Sequence, residues 1–186
     1  MFFSQTMEER YNKNSHIEQL LLAISSGDSA SMGVLYDLIK TDVFAYALSK
    51  LGNKSDAEDI TQDTFVQVYK HAKQYVSKGK PMAWIITIEL NLINRFFVLK
   101  ARTSPFEECF ENTPSNEDVQ EKVVDNAFLS QLLSVLNEEE REILVLHVVS
   151  GMKHREIAKV LSKPLSTVLS KYNRAIKKLQ FVKMES

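Results

Sequence analysis

Wound as a helix at about 100° per residue, residues 165–179 place Ser166, Ser170, Asn173, Arg174 and Lys177 on one side. Leu165, Val168, Tyr172, Ala175, Ile176 and Leu179 fall on the other. One face packs and the opposite one is free to meet an anion. Short hydroxyl and amide side chains near the start of such a helix reach base edges in a major groove, and Arg174, Lys177 and Lys178 pair with bases or phosphates. Just upstream, Ile157, Ala158 and Leu161 give a short helix an apolar face, and "SKPLS" supplies a turn around Pro164. The two segments form a helix-turn-helix pattern. A solvated face is the plain alternative for a basic helix standing by itself. The helix and turn in front of it favour DNA.

A second cluster has the opposite charge. Asp56, Glu58, Asp59 and Asp63, with Gln62 between them, make one end of a helix acidic, while Ala57, Ile60, Thr64 and Val68 form a stripe that can face a core. Complementing the helix dipole accounts for Asp56, Glu58 and Asp59, but Asp63 lies too far along for that. Clustered carboxylates also hold divalent metals in helical hydrolases. No second set of carboxylates or histidines stands at a helical ligand spacing, and His16, His71, His147 and His154 are scattered. No Gly-rich phosphate loop, nucleophile motif or Ser/His/Asp grouping is evident, so the expectation is a non-enzyme with no cofactor and no metal. The one cysteine, Cys109, excludes an internal disulfide framework and fits a reducing compartment, with a redox sensor as the alternative.

The elements that must position these clusters are helical. Five glycines and four prolines punctuate 186 residues, strand alternation is absent, and apolar residues recur at helical spacing in "IEQLLLAI", over 34–39, 43–51, 60–69 and 84–99, and from Val123 onward. Gly27-Asp28 and Gly52-Asn53 mark turns, Ser55 to Glu58 has the capping-box form, and Pro81 fits a first helical turn. After Arg102 the composition changes. "TSPFEECFENTPSNEDVQ" has two prolines and no basic residue, the profile of an extended, solvated linker and a domain boundary. The net charge of −1 averages unlike parts, since acidic residues predominate from Thr103 to Glu142 whereas nine Lys and Arg face only Glu156 and Glu185 from Gly151 onward. The longest apolar runs, such as "AWIITIEL", are short for a membrane span and the N-terminus lacks the pattern of a secretory signal, so no membrane insertion and a cytoplasmic location are expected.

"VLNEEEREILVLHVVSGMKHREIAKVLSKPLSTVLSKYNRAIKKLQ" resembles region four of the bacterial RNA polymerase sigma factors of the sigma-70 family, the domain that reads the minus thirty-five promoter element. The stretch from "LLLAISSGDSASMGVLYDLIK" to "PMAWIITIELNLINRFF" is similar to region two of the extracytoplasmic-function (ECF) group, compact sigma factors having only those two domains. The resemblance covers about residues 17–179 and implies an all-α fold: a region two helical bundle at 16–103, a flexible acidic linker at 104–119 and a region four helix-turn-helix domain at 120–183.

The resemblance also implies roles. Promoter-specific initiation with core RNA polymerase would be the function. Ser166, Thr167, Ser170, Lys171, Asn173, Arg174 and Lys177 would contact the minus thirty-five element. The loop 75–83 would cup a base flipped from the minus ten element, with contacts from Tyr75, Lys78, Lys80, Asn91 and Arg95, while Trp84 in its apolar run reads as a packing anchor rather than a stacking platform. Asp56, Glu58, Asp59, Gln62, Asp63 and Phe65 would dock on the core enzyme. An anti-sigma factor is a further expected partner. Glu89, Arg95 and Leu169 depart from the family pattern: altered minus ten recognition is one consequence, and Leu169 either contacts a thymine methyl or packs. A sigma-like helix-turn-helix regulator that does not act as an initiation factor is the competing class.

Overall fold

A computed structural model describes residues 7–103 and 135–184, with side chains over 12–102 and 135–181. The expected linker at 104–119 with its Cys109, and residues 120–134 of the expected second half, lie outside the described residues. All regular structure among the described residues is helical.

The first half is a four-helix bundle. Helix α1 (Met7–Ser25) buries Ile17, Leu20, Leu21 and Ile24, one face at helical spacing. A turn at Gly27, with φ of 102°, leads to α2 (Ala30–Leu51), whose start is held by the Asp28 carboxylate accepting from Ala30 N at 3.0 Å and from the Ser31 hydroxyl at 2.7 Å. Gly52 closes α2 in the left-handed region at φ 66°, a conformation that favours glycine. Helix α3 (Lys54–His71) is then capped two residues before the capping box expected at Ser55. Its N-cap is Asn53, extended at φ −119° and ψ 130°, with the side-chain oxygen accepting from Asp56 N at 3.0 Å. Asn53 follows the chain reversal at Gly52 directly, so Ser55 already lies inside the first turn. A short 3₁₀ turn (Ala72–Gln74) and a loop lead to α4 (Pro81–Thr103), with Pro81 at its first position as expected.

The segment Pro81–Arg102 of α4 is long and apolar enough to span a membrane by length and composition, with mean hydropathy 1.5, against the expectation from its short apolar runs. The difference lies in averaging: Glu89, Asn91, Asn94 and Arg95 interrupt the runs without lowering the mean far. The helix is amphipathic, burying Met82, Ile85, Ile86 and Ile93 in the bundle while Asn91 and Arg95 face outward.

In the second half, α5 (Glu138–Val148) opens with a capping box that the sequence reading missed. Asn137 accepts from Glu140 N at 2.9 Å and Glu140 accepts from Asn137 N at 3.1 Å. Helix α6 (His154–Val160), a turn containing Ser162 at φ 52°, Pro164, and α7 (Leu165–Met184) form the expected helix-turn-helix. The apolar side of α7 is the one read from the sequence: Val168 and Ala175 are fully buried, and Leu165, Tyr172, Ile176 and Leu179 pack against the core.

The halves touch. Helix α2 packs on α5 and α4 on α6, and one apolar cluster runs from Ile17 through Val43 and Ile93 to Ile143, Leu146 and Ile157.

Candidate nucleic-acid interface and acidic docking face

The outer face of α7 carries Ser166, Ser170, Asn173, Arg174 and Lys177, all exposed, with Thr167 and Lys171 half-buried at its edge. Packing of Val168 and Ala175 fixes the rotation of the helix, so these polar side chains project to one side. The seven residues expected to contact DNA differ in their engagement. Lys171 is 2.6 Å from Glu139, which also binds Lys163 at 2.6 Å, and Lys178 is 2.7 Å from Glu140. Hydrogen bonds from Lys163 and Lys171 hold the Glu139 carboxyl down at about 2. Arg174 and Lys177 make no ion pair among the described residues and present their charge outward. Leu169 is 40% exposed beside Ser170, so it does not pack into the core.

On α3, Glu58, Asp59, Gln62 and Asp63 are exposed and Asp56 is half-buried by the N-cap. Phe65 stands apart from them. It is 5% exposed and its ring lies 4.8 Å from that of Tyr36, so it supports this face from beneath. Next to the carboxylates is a groove lined by Met32 and Tyr36 of α2 and Phe65, Val66 and Tyr69 of α3. Val66 and Tyr69 are 46% and 53% exposed, apolar surface that a lone chain leaves in water. No motif in the sequence marks this groove. Its signal was Val66 and Tyr69 falling off the buried stripe of α3.

Between α3 and α4 the loop exposes Lys78 and Lys80, while Tyr75 is half-buried with its ring set edge-on to Trp84, centroids 5.2 Å apart. Trp84 is thus engaged in packing. Burial and a hydrogen bond to Glu18 push the Tyr75 phenol up. Glu18 of α1 accepts from the Tyr75 hydroxyl at 2.9 Å, from Ser77 at 2.8 Å and from Gly79 N at 3.0 Å. It was missed because its partners are nearly 60 residues away and no local spacing announces them. Asn91 and Arg95 lie exposed on α4.

Glu89 points the other way. It is fully buried, and burial raises its pKa well above the usual carboxylate range, the nearby Ala47 backbone offsetting only part of that. Its departure from the family pattern is a core substitution and puts no negative charge on the loop side. No group of three or more His, Cys, Asp or Glu among the described residues could hold a metal ion.

Residues 35–103 match the model of the family described as Sigma-70 region 2, and residues 129–179 match that of Sigma-70, region 4. Among curated proteins, the chain is 26% identical over 172 residues to the ECF RNA polymerase sigma factor BldN of Streptomyces coelicolor, covering 89% of this chain and 65% of that protein. It is 29% identical over 169 residues to SigE of Mycolicibacterium smegmatis, covering 84% and 64%, and 23% identical over 176 residues to SigK of Mycobacterium bovis, covering 90% and 93%. The match thus spans a little under two thirds of the length of the first two relatives. Among solved structures, CnrH in complex with the cytosolic domain of CnrY aligns with a TM-score of 0.61 and 22% identity over 92% of this chain and 99% of that one. RpoE in complex with the anti-sigma factor NepR from Bartonella quintana aligns with a TM-score of 0.60 and 23% identity over 80% and 94%. Both are likenesses of fold.

Proposed function

Because this chain belongs to the ECF group of the sigma-70 family of sigma factors, we propose that it binds core RNA polymerase and directs promoter-specific initiation without catalysing a reaction itself. The observation that carries this reading is the pairing, in one chain, of an exposed polar and basic recognition face on α7 with an acidic, apolar-edged face on α3.

In this reading residues 16–103 dock on core enzyme and handle the minus ten element, 104–119 is the linker, and 120–183 reads the minus thirty-five element. Ser166, Ser170 and Asn173 donate and accept at base edges, and Arg174 and Lys177 supply charge to a base or to phosphates. Leu169, exposed beside them, offers an apolar contact to a thymine methyl. On the other half, Glu58, Asp59 and Asp63 pair with a basic partner surface while the groove by Val66 and Tyr69 takes its apolar side chains. The loop with Lys78 and Lys80 then holds the phosphates of an unpaired strand, alongside Asn91 and Arg95.

A protein inhibitor is a third partner in this reading, since two solved relatives of the same fold are described in complexes, one of them with an anti-sigma factor. The cytoplasm is the compartment where these partners meet. Run-off transcription from genomic fragments, with core enzyme in the presence and absence of the protein, tests the reading. Discrete transcripts only with the protein present are expected. DNA binding with no transcript indicates a helix-turn-helix regulator instead.

A further inference from the structure

We propose that Glu18 is the positioning residue of the 75–80 loop, its carboxylate holding the loop in the shape that receives an unpaired DNA strand. This rests on the reading of that loop as the strand-capturing segment. Three donors from one short stretch, the Tyr75 hydroxyl, the Ser77 hydroxyl and the Gly79 amide, converge on a single oxygen, Oε1, at 2.8–3.0 Å. The chain is extended at Tyr75, φ −66° and ψ 125°, and turns back at Gly79, φ 65°, so that the stretch wraps around the carboxylate. Val76, at 62% exposure, Lys78 and Lys80 face solvent.

Besides this carboxylate, the loop is tied by the Tyr75 ring against Trp84 and by the backbone of Lys78 and Lys80 turned toward the Tyr75 hydroxyl. Gly79 adopts φ 65° with nothing within 4 Å of where a Cβ would stand, so neither sterics nor packing restrains it there. A free segment of this kind loses conformational entropy on binding, and one already ordered does not. Hydrogen bonds to a carboxylate are about twice as strong as those between neutral groups, which suits Glu18 to this ordering. Burial disfavours its charge, but the bonds from Ser77, Gly79 and Tyr75 outweigh that and hold it below the usual carboxylate range, so it stays ionised near neutral pH. The bond to Tyr75 also fixes the aromatic ring, which is wedged edge-on against Trp84. Glu18 thereby sets both the ring face and the two lysines that a strand would meet.

The test uses holoenzyme assembled from core polymerase and the full chain, probed with a 2-aminopurine-labelled single strand carrying the minus ten element of a promoter it transcribes. Glu18→Ala should weaken capture of the strand about tenfold, the loss of ordering hydrogen bonds to a charged acceptor. Glu18→Gln, which keeps a neutral acceptor oxygen, should fall between it and wild type. Affinity for core enzyme and for a minus thirty-five duplex should not change. Lys78→Ala/Lys80→Ala is the control for the underlying reading. If it binds the strand as wild type does, the loop is not the capturing segment and the role of Glu18 falls with it. If it loses binding while both Glu18 variants keep theirs, the loop reading stands and the proposal for Glu18 is overturned. Parallel losses of strand capture, core affinity and melting temperature in Glu18→Gln would reduce Glu18 to a scaffold residue and also overturn it.

Discussion

Tyr46 donates its hydroxyl to Glu142 at 3.0 Å across 96 residues of sequence, and both side chains are buried. Lys50, one turn along α2, reaches Glu138 at 2.8 Å and Glu142 at 3.5 Å. These contacts pin the recognition half of the protein to its other half. The proposed role requires them to open. Elements centred about 25 base pairs apart lie on the order of 80 Å along the DNA axis at about 3.4 Å per pair. A compact chain of this length has a radius of gyration of roughly 16 Å. In the proposed role the packed arrangement could not reach both elements at once, and the Tyr46–Glu142 contact would then belong to the free protein.

Tyr46→Phe should therefore destabilise the free chain by about 2 kcal/mol, the worth of a hydrogen bond to a charged acceptor, without weakening holoenzyme formation. Thermal melting and titration against core polymerase read the two quantities. A loss of core affinity in step with the loss of stability would mean that the halves stay packed on the enzyme.

Arg174→Ala should weaken promoter binding by about 1–3 kcal/mol and relax preference at one base position of the upstream element. Lys171→Ala should have the smaller effect, because Lys171 is already paired with Glu139 at 2.6 Å while Arg174 has no ion pair among the described residues. Binding to a set of single-base promoter variants separates them, and equal losses would place Lys171 on the DNA after all.

Reversing Asp59 and Asp63 to Lys should abolish co-purification with core polymerase at unchanged helicity, since both carboxylates are exposed and free of ion pairs among the described residues. Val66→Asp, in the adjoining groove, should do the same through the apolar part of the surface. Retained core binding in both variants would remove this face from the interface.

What was legible in the sequence was periodic. Leu165, Val168, Tyr172 and Ala175 announce the buried side of α7 because they repeat every three or four residues, and the free side follows by elimination. The acidic face of α3 was read in the same way. Non-local contacts were not legible: nothing around Glu18 refers to Ser77 or Gly79, and nothing around Tyr46 refers to Glu142. Phe65 and Glu89 were assigned from a motif position rather than from their place on the helix, and both are buried. The N-cap moved from Ser55 to Asn53 because two overlapping signals competed and the turn at Gly52 favours the earlier one.

A pair of histidines in the second half should link stability to pH. His147 and His154 stack with centroids 4.2 Å apart, each edge-on to Tyr172. His147 donates through Nδ1 to the Met152 carbonyl at 2.8 Å, and His154 buries Nε2 without a hydrogen-bond partner. Burial, and then the neighbouring His147, lower the pKa of His154 below 6.5, so its neutral form belongs to the folded state. The unfolded chain then takes up the proton first, and stability is complete above pH 6.5 and falls as pH drops below it. Glu89 acts in the opposite sense. Its raised pKa means that stability is lost as pH rises above 4.5, buried Asp42 acts in the same sense from 3.8 upward, and the slope of the wild-type protein mixes all three. The difference between variants separates them. Replacing His154 by Phe should remove the destabilisation on acidification from about pH 7 to pH 5.5 and leave the opposing slope of the buried carboxyls, while Glu89→Gln should shrink that opposing slope and keep the His154 contribution. Melting temperature against pH for the three proteins measures this. Superimposable wild-type and His154→Phe profiles would show that the stacked pair carries no proton linkage in that range.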